Sequence, residues 1–68
     1  MILFKERLKE LRKEKHLSQT DLAKELKVSQ RSISGWETGY REPDFNTLEV
    51  IAKYFEVTTD FLLGLTDY

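Results

Sequence analysis

The 68-residue sequence has no cysteine, one histidine, one proline and three glycines. Without cysteine there is no disulfide framework and no thiolate to serve as nucleophile or metal ligand, which fits a reducing compartment. His16 has no second histidine and no paired carboxylate at ligand spacing, so it reads as an exposed loop residue rather than a metal or catalytic group. No apolar run approaches the roughly 18 residues of a membrane span, and the basic N-terminus lacks the apolar core of a signal peptide. The expectation is a soluble, cytoplasmic protein with no metal, no cofactor and no evident small-molecule pocket. A nucleophile paired with a base and a phosphate-cradling loop are also missing, which argues against an enzyme. A chain this short buries only about 60% of its unfolded surface. One small domain, residues 1–68, is therefore expected, with no room for a large catalytic cleft.

The stretch 18–39, SQTDLAKELKVSQRSISGWETG, organises what is present. Leu22, Ala23 and Leu26 give one apolar face, Val28 stands in a turn, and Ile33 and Trp36 give a second apolar face at i, i+3. Ser18 and Ser29 are each placed to cap a helix N-terminus, accepting a hydrogen bond from a free backbone N–H of the first turn. Asp21 falls in that first turn, where its charge suits the positive end of the helix dipole. Gly39 is a helix stop. The unit is helix, turn of about three residues, helix, stop.

The remaining chain reads as support. Phe4, Leu8 and Leu11 stripe a helix over residues 2–15 with a charged outer face. Pro43 bars the helical conformation at Glu42, and Asp44 caps a helix carrying Leu48, Ile51, Ala52 and Phe55 at i, i+3, i+4, i+7. Phe45 at its start either packs on the preceding helix or stands exposed. Residues 58–65 form a last short helix, capped by Thr58 or Thr59 and stopped at Gly64. Phe61, Leu62, Leu63 and Leu65 are more apolar residues than one face of two turns can bury, so some stay exposed or are covered by a second copy. The expected fold is all-α, a compact bundle of five helices.

This spacing resembles the helix-turn-helix of the phage repressor and Cro family, also called the Xre family. Gln19, Ala23, Val28, Ile33 and Trp36 fill the family's places, Trp36, Glu37 and Gly39 followed by Pro43 match its ending, and the likeness continues through Leu48, Ile51, Ala52 and VTTDFLLGLTD. Two positions depart from the pattern. Lys27 stands where the turn usually has glycine, and must take a positive φ at a cost of order 1 kcal/mol. Gly35 lies inside the second motif helix where many relatives carry a long polar side chain.

The resemblance implies a regulator of transcription that binds double-stranded operator DNA as a homodimer, represses, and sets its second motif helix in the major groove. On that helix Gln30, Arg31, Ser34 and Gly35 lie opposite Ile33 and Trp36 and are the candidates for base contacts. Gln pairs with adenine N6/N7, Arg with guanine O6/N7, and Gly35 leaves room for backbone approach or a thymine methyl. Gln19, Ser32, Thr38, Tyr40 and Arg41 are the candidates for phosphate contacts. Arg12 matches an arginine that in relatives pairs with the glutamate ending the recognition helix, here Glu37, and the pair is expected to clamp the first helix to the third. Leu63, Leu65 and Tyr68 are the dimer candidates. The net charge of −1 hides a polarity: residues 1–31 carry nine Lys/Arg against five Asp/Glu, +4, and residues 32–68 carry two against seven, −5. A basic half that includes the start of the second motif helix is the footprint of a binder with one face toward phosphates. The acidic half and apolar C-terminus favour a rival, a protein-interaction module such as an antitoxin or anti-regulator with DNA binding secondary. The chain is either a complete regulator or the N-terminal part of a longer one.

Overall fold

The computed structural model describes residues 2–68. Its elements are α1 (Phe4–Glu14), α2 (Gln19–Leu26), α3 (Gln30–Thr38), α4 (Phe45–Phe55) and α5 (Thr59–Leu63), with no strand among the described residues. Helices this short are marginal alone in water, so their ends and their buried faces have to hold them. The caps are as the hydroxyls and Asp44 foretell. Ser29, Asp44 and Thr58 accept from the backbone N–H of Ser32, Thr47 and Phe61 at 3.1, 2.8 and 3.0 Å. At Ser18 the arrangement is reciprocal: its hydroxyl accepts from the Asp21 N–H at 3.0 Å, while the Asp21 carboxylate accepts from the Ser18 N–H at 3.2 Å. The first helix has no such side-chain cap and begins at Phe4, two residues inside the expected span of 2–15, and ends at Glu14, one residue inside it.

Each helix contributes one large aliphatic side chain that is fully buried: Leu8, Leu22, Ile33, Ile51 and Leu62. Phe4, Ala23, Leu26, Trp36, Ala52 and Phe55 complete the core, and Leu11 and Leu48 pack at its edge, half-buried. Helix α3 lies against both α1 and α2, while α5 closes onto α1 and α4. The chain ends are joined directly. The Leu3 N–H donates to the Leu63 carbonyl at 3.0 Å, and Arg7 donates from Nη1 to the carbonyls of Phe61 and Thr66 at 3.0 and 3.1 Å. The Arg7 guanidinium lies 4.1 Å from the Phe61 ring centroid, which answers part of the apolar surplus of α5 by a cation over an aromatic face. Leu65 and Phe45 stay exposed, the latter at 90%.

Each helix is followed within two residues by a left-handed residue. Gly39 and Gly64 fill that place at φ of 81° and 83°, but His16, Lys27 and Glu56 fill it with side chains, at 58°, 59° and 58°. The Lys27 expectation is met, and His16 and Glu56 share its strain. Replacing Lys27 or Glu56 with glycine should stabilise the fold by about 0.5–1 kcal/mol, the steric relief less the extra entropy glycine brings to the unfolded chain. A rise in the urea midpoint at unchanged slope is the expected readout, and a fall in both variants would refute the strain.

The capping carboxylates also set an acid limit. Asp21 sits below the ordinary 3.8 because the Ser18 backbone N–H and then its hydroxyl favour the ionised form. Asp44 is lowered in the same way by the Thr47 backbone and side chain. Groups with depressed folded pKa values contribute stability above the unfolded value and lose it as pH falls through the folded one. The melting temperature should therefore drop as pH is taken below about 4. Asp21→Asn should flatten that dependence.

Candidate nucleic-acid interface

The motif helices are tied together by a chain of side-chain hydrogen bonds that starts in the core. Arg12 of α1 grips Glu37 near the end of α3 with two parallel bonds, Nε to Oε2 at 2.6 Å and Nη2 to Oε1 at 2.9 Å. The Glu37 side chain is 1% exposed and that of Arg12 12%. Hydrogen bonding to Glu37 raises the Arg12 pKa further above its ordinary value. The third guanidinium nitrogen, Nη1, donates to the Leu17 carbonyl at 2.8 Å and so fixes the loop before α2. Gln19, first residue of α2, donates from Nε2 to Glu37 Oε1 at 3.1 Å, and its own Oε1 accepts from Gln30 Nε2 at 2.6 Å. Gln30 is the first residue of α3.

Donor counting shows what this leaves free. The Gln19 amide has two N–H groups and spends one on Glu37, keeping the second beside the N-terminus of α2. Gln30 spends one N–H on Gln19 and keeps one N–H and its oxygen, a donor and acceptor side by side. The Ser32 hydroxyl is bound to that of Ser29 at 3.0 Å, inside the cap. Thr38 donates its hydroxyl proton to the carbonyls of Ser34 and Gly35 at 3.0 and 3.2 Å. It therefore retains only acceptor capacity in the free chain, a poor match to the phosphate contact expected of it.

Farther along α3, Arg31, Ser34, Gly35, Thr38, Tyr40 and Arg41 line one open depression. The structure thus brings Arg31, Ser34 and Gly35 of the expected base set together with Thr38, Tyr40 and Arg41 of the expected phosphate set. Tyr40 and Arg41 are exposed, Tyr40 at 86%. Gly35 corrects the sequence reading: it is buried, and the room it was expected to leave is filled by the aliphatic stem of Arg41. The only acid on α3, Glu37, is turned into the core, so the outer face carries arginine and hydroxyls. Leu63 of the dimer candidates lines an apolar groove with Ile2, Phe4, Pro43, Phe45 and Leu48, while Leu65 and Tyr68 stand exposed.

Sequence reasoning missed the Gln19 links to Glu37 and Gln30. The available signal was that Gln19 and Gln30 each follow a capping serine and open successive helices across a short turn.

Residues 8–62 match the family model described as helix-turn-helix. The chain belongs to that family, in its phage-repressor form. Its relatives include the transcriptional activator BcrR of Enterococcus faecalis, 47% identical over 61 residues, covering 90% of this chain and 30% of BcrR. Another is the transcriptional regulator ImmR of Bacillus subtilis, 38% identical over 58 residues, covering 85% of this chain and 46% of ImmR. Among solved structures, the P22 c2 repressor in complex with a synthetic operator superposes with a TM-score of 0.84 at 33% identity, covering 93% of this chain and 96% of that one. A transcriptional regulator from Listeria innocua gives a TM-score of 0.88 at 33% identity, covering 94% of this chain and 60% of that one. The chain spans 30% to 58% of the length of the first curated relatives it matches.

In this helix-turn-helix the paired Arg12 and Glu37 join α1 to α3. Removing one partner leaves the other buried without compensation, at a cost of about 3 kcal/mol or more. For a domain whose whole stability is only about 3–10 kcal/mol, Arg12→Ala should therefore approach unfolding at ambient temperature. The double variant Arg12→Met with Glu37→Leu should recover most of the loss. A wild-type melting temperature in Arg12→Ala would sink the clamp.

Proposed function

We propose that the chain is the sequence-specific DNA-binding part of a transcriptional regulator. It seats α3 in the major groove of duplex DNA, and two copies act together on a pseudo-palindromic operator. The observation that carries this reading is the Gln30 amide, held by Gln19 with one N–H and its oxygen still free. That pair of groups complements adenine N7 and N6, and its orientation is fixed before any duplex arrives. Arg31 and Ser34 on the same outer face extend the base-reading set, and the spare N–H of Gln19 at the start of α2 suits a phosphate. Tyr40 and Arg41 follow just beyond the end of α3.

Two-fold symmetry places the recognition helices of a dimer about 34 Å apart, one turn of the duplex. The exposed Leu65 and Tyr68, with Leu63 beside them, supply the apolar surface for the second copy. Repression is the simplest output, because occupancy of a promoter by such a dimer blocks it, whereas activation needs a further contact with the transcription machinery. Work on DNA places the protein in the cytoplasm of a bacterial cell.

Selection from a randomised duplex pool tests the reading. The expected result is a two-fold symmetric site whose enrichment is lost in Gln30→Ala with Arg31→Ala. If the dimer neutralises about six phosphates, affinity for the site should fall by about a thousandfold between 50 and 200 mM salt. An unenriched pool or a flat salt response would overturn it. A protein partner that still binds the double variant in that event would favour the interaction-module reading.

A further inference from the structure

Resting on the placement of α3 in a major groove, we propose that Arg41 reads a base, a guanine, rather than a phosphate, because Gly35 lets it lie across the outer face of α3. At about 100° per residue, Arg31, Ser34, Gly35 and Thr38 form the stripe opposite Ile33 and Trp36. Gly35 is buried despite its place on that stripe, and Arg41 is what covers it. A Cβ added at Gly35 would stand 2.5 Å from Arg41 Cγ and 2.7 Å from Cδ. Any side chain at 35 and the present path of Arg41 therefore exclude one another. The path is pinned at its root by the Arg41 N–H, which donates to the Gly35 carbonyl at 3.1 Å.

The head of Arg41 is as informative as its stem. The residue remains exposed, and its guanidinium has no hydrogen-bond or ion-pair partner among the described residues. The neighbouring Thr38 hydroxyl proton is committed to main-chain carbonyls, so it does not compete for an acceptor. Arg31 and Arg41 border the same depression, one from within α3 and one from the loop after it. A phosphate at the rim of a groove needs only a flexible cation. A stem packed over the middle of the outward stripe instead carries a planar fork of donors along the surface that meets the groove floor, with part of its rotamer entropy already lost. Guanine O6 and N7 match that fork. Arg41 is thus a specificity-determining residue, and Gly35 positions it.

The test compares selected sites and competition affinities for the wild-type chain, Arg41→Ala, Arg41→Lys and Gly35→Ala, with circular dichroism melts to check that the fold is kept. Arg41→Ala should lose about fivefold to a hundredfold of preference for guanine at one base pair of each half-site, leaving preference elsewhere intact. Arg41→Lys keeps the charge and the salt slope but should lose the same preference, because an ammonium has no fork. Gly35→Ala, which displaces the stem, should lose it too, although it removes no polar group. If Arg41→Ala weakens every sequence by one common factor, Arg41→Lys behaves as wild type, or Gly35→Ala keeps the guanine preference, the Arg41 assignment is overturned while the DNA-binding reading stands. A wild-type pool that enriches no site overturns both.

Discussion

The fold depends on one acid carried into its interior. Glu37 is the only acidic residue of α3, and its side chain is almost wholly removed from water. Burial of a carboxylate costs several kcal/mol unless a charge and hydrogen bonds replace its hydration. Here they are supplied by Arg12 through two bonds and by Gln19 through a third. The arginine's remaining reach goes to the Leu17 carbonyl, and no buried side-chain polar atom among the described residues lacks a partner. An apolar pair of similar volume would keep most of that stability. What the ion pair adds is direction, two parallel bonds from α1 and one from the start of α2 that converge on the same carboxylate of α3.

The order imposed by that pair reaches the surface in two steps. Gln19 hands the constraint from Glu37 to Gln30, from the core to the first residue of α3, through amides whose donors and acceptors alternate. The other end of α3 is fixed by different means: the Arg41 N–H takes a carbonyl of the last turn, and Gly39 turns the chain away. A nine-residue helix would fray in isolation. Held at both ends and backed by Ile33 and Trp36, it presents a rigid outer face, which lowers the entropy lost when a ligand is bound.

Much of this was legible in the residues. Serine, aspartate and threonine caps and the 3.6-residue stripes act within four or five positions, and local physics fixes them, whereas the left-handed turn at Lys27 came from likeness to relatives. The Arg12 and Glu37 pairing came from likeness to relatives, since no pattern within the chain links residues 25 apart. Arg7 had no signal at all: its partners are main-chain carbonyls 54 and 59 residues away, and a carbonyl has no sequence identity. His16 and Glu56 were missed as left-handed residues because only glycine announces that conformation. Gly35 was misread for a related reason. An absent side chain looks like open space until the path of a neighbour six residues on is known, and here that neighbour fills it.

The side chains that hold α3 and those that face outward from it form nearly separate sets. Arg12, Glu37, Ile33 and Trp36 answer to the core, while Arg31, Ser34 and Arg41 answer to whatever lies outside, and only Gln19 and Gln30 belong to both. Substitutions on such an outer face shift stability by about 0.5 kcal/mol or less, so that face can change without endangering the fold. The same separation explains how a chain of net charge −1 can carry a basic outer face on α3. What attracts a polyanion is the charge on the surface it meets, and on α3 the single negative charge has been spent inside, against Arg12.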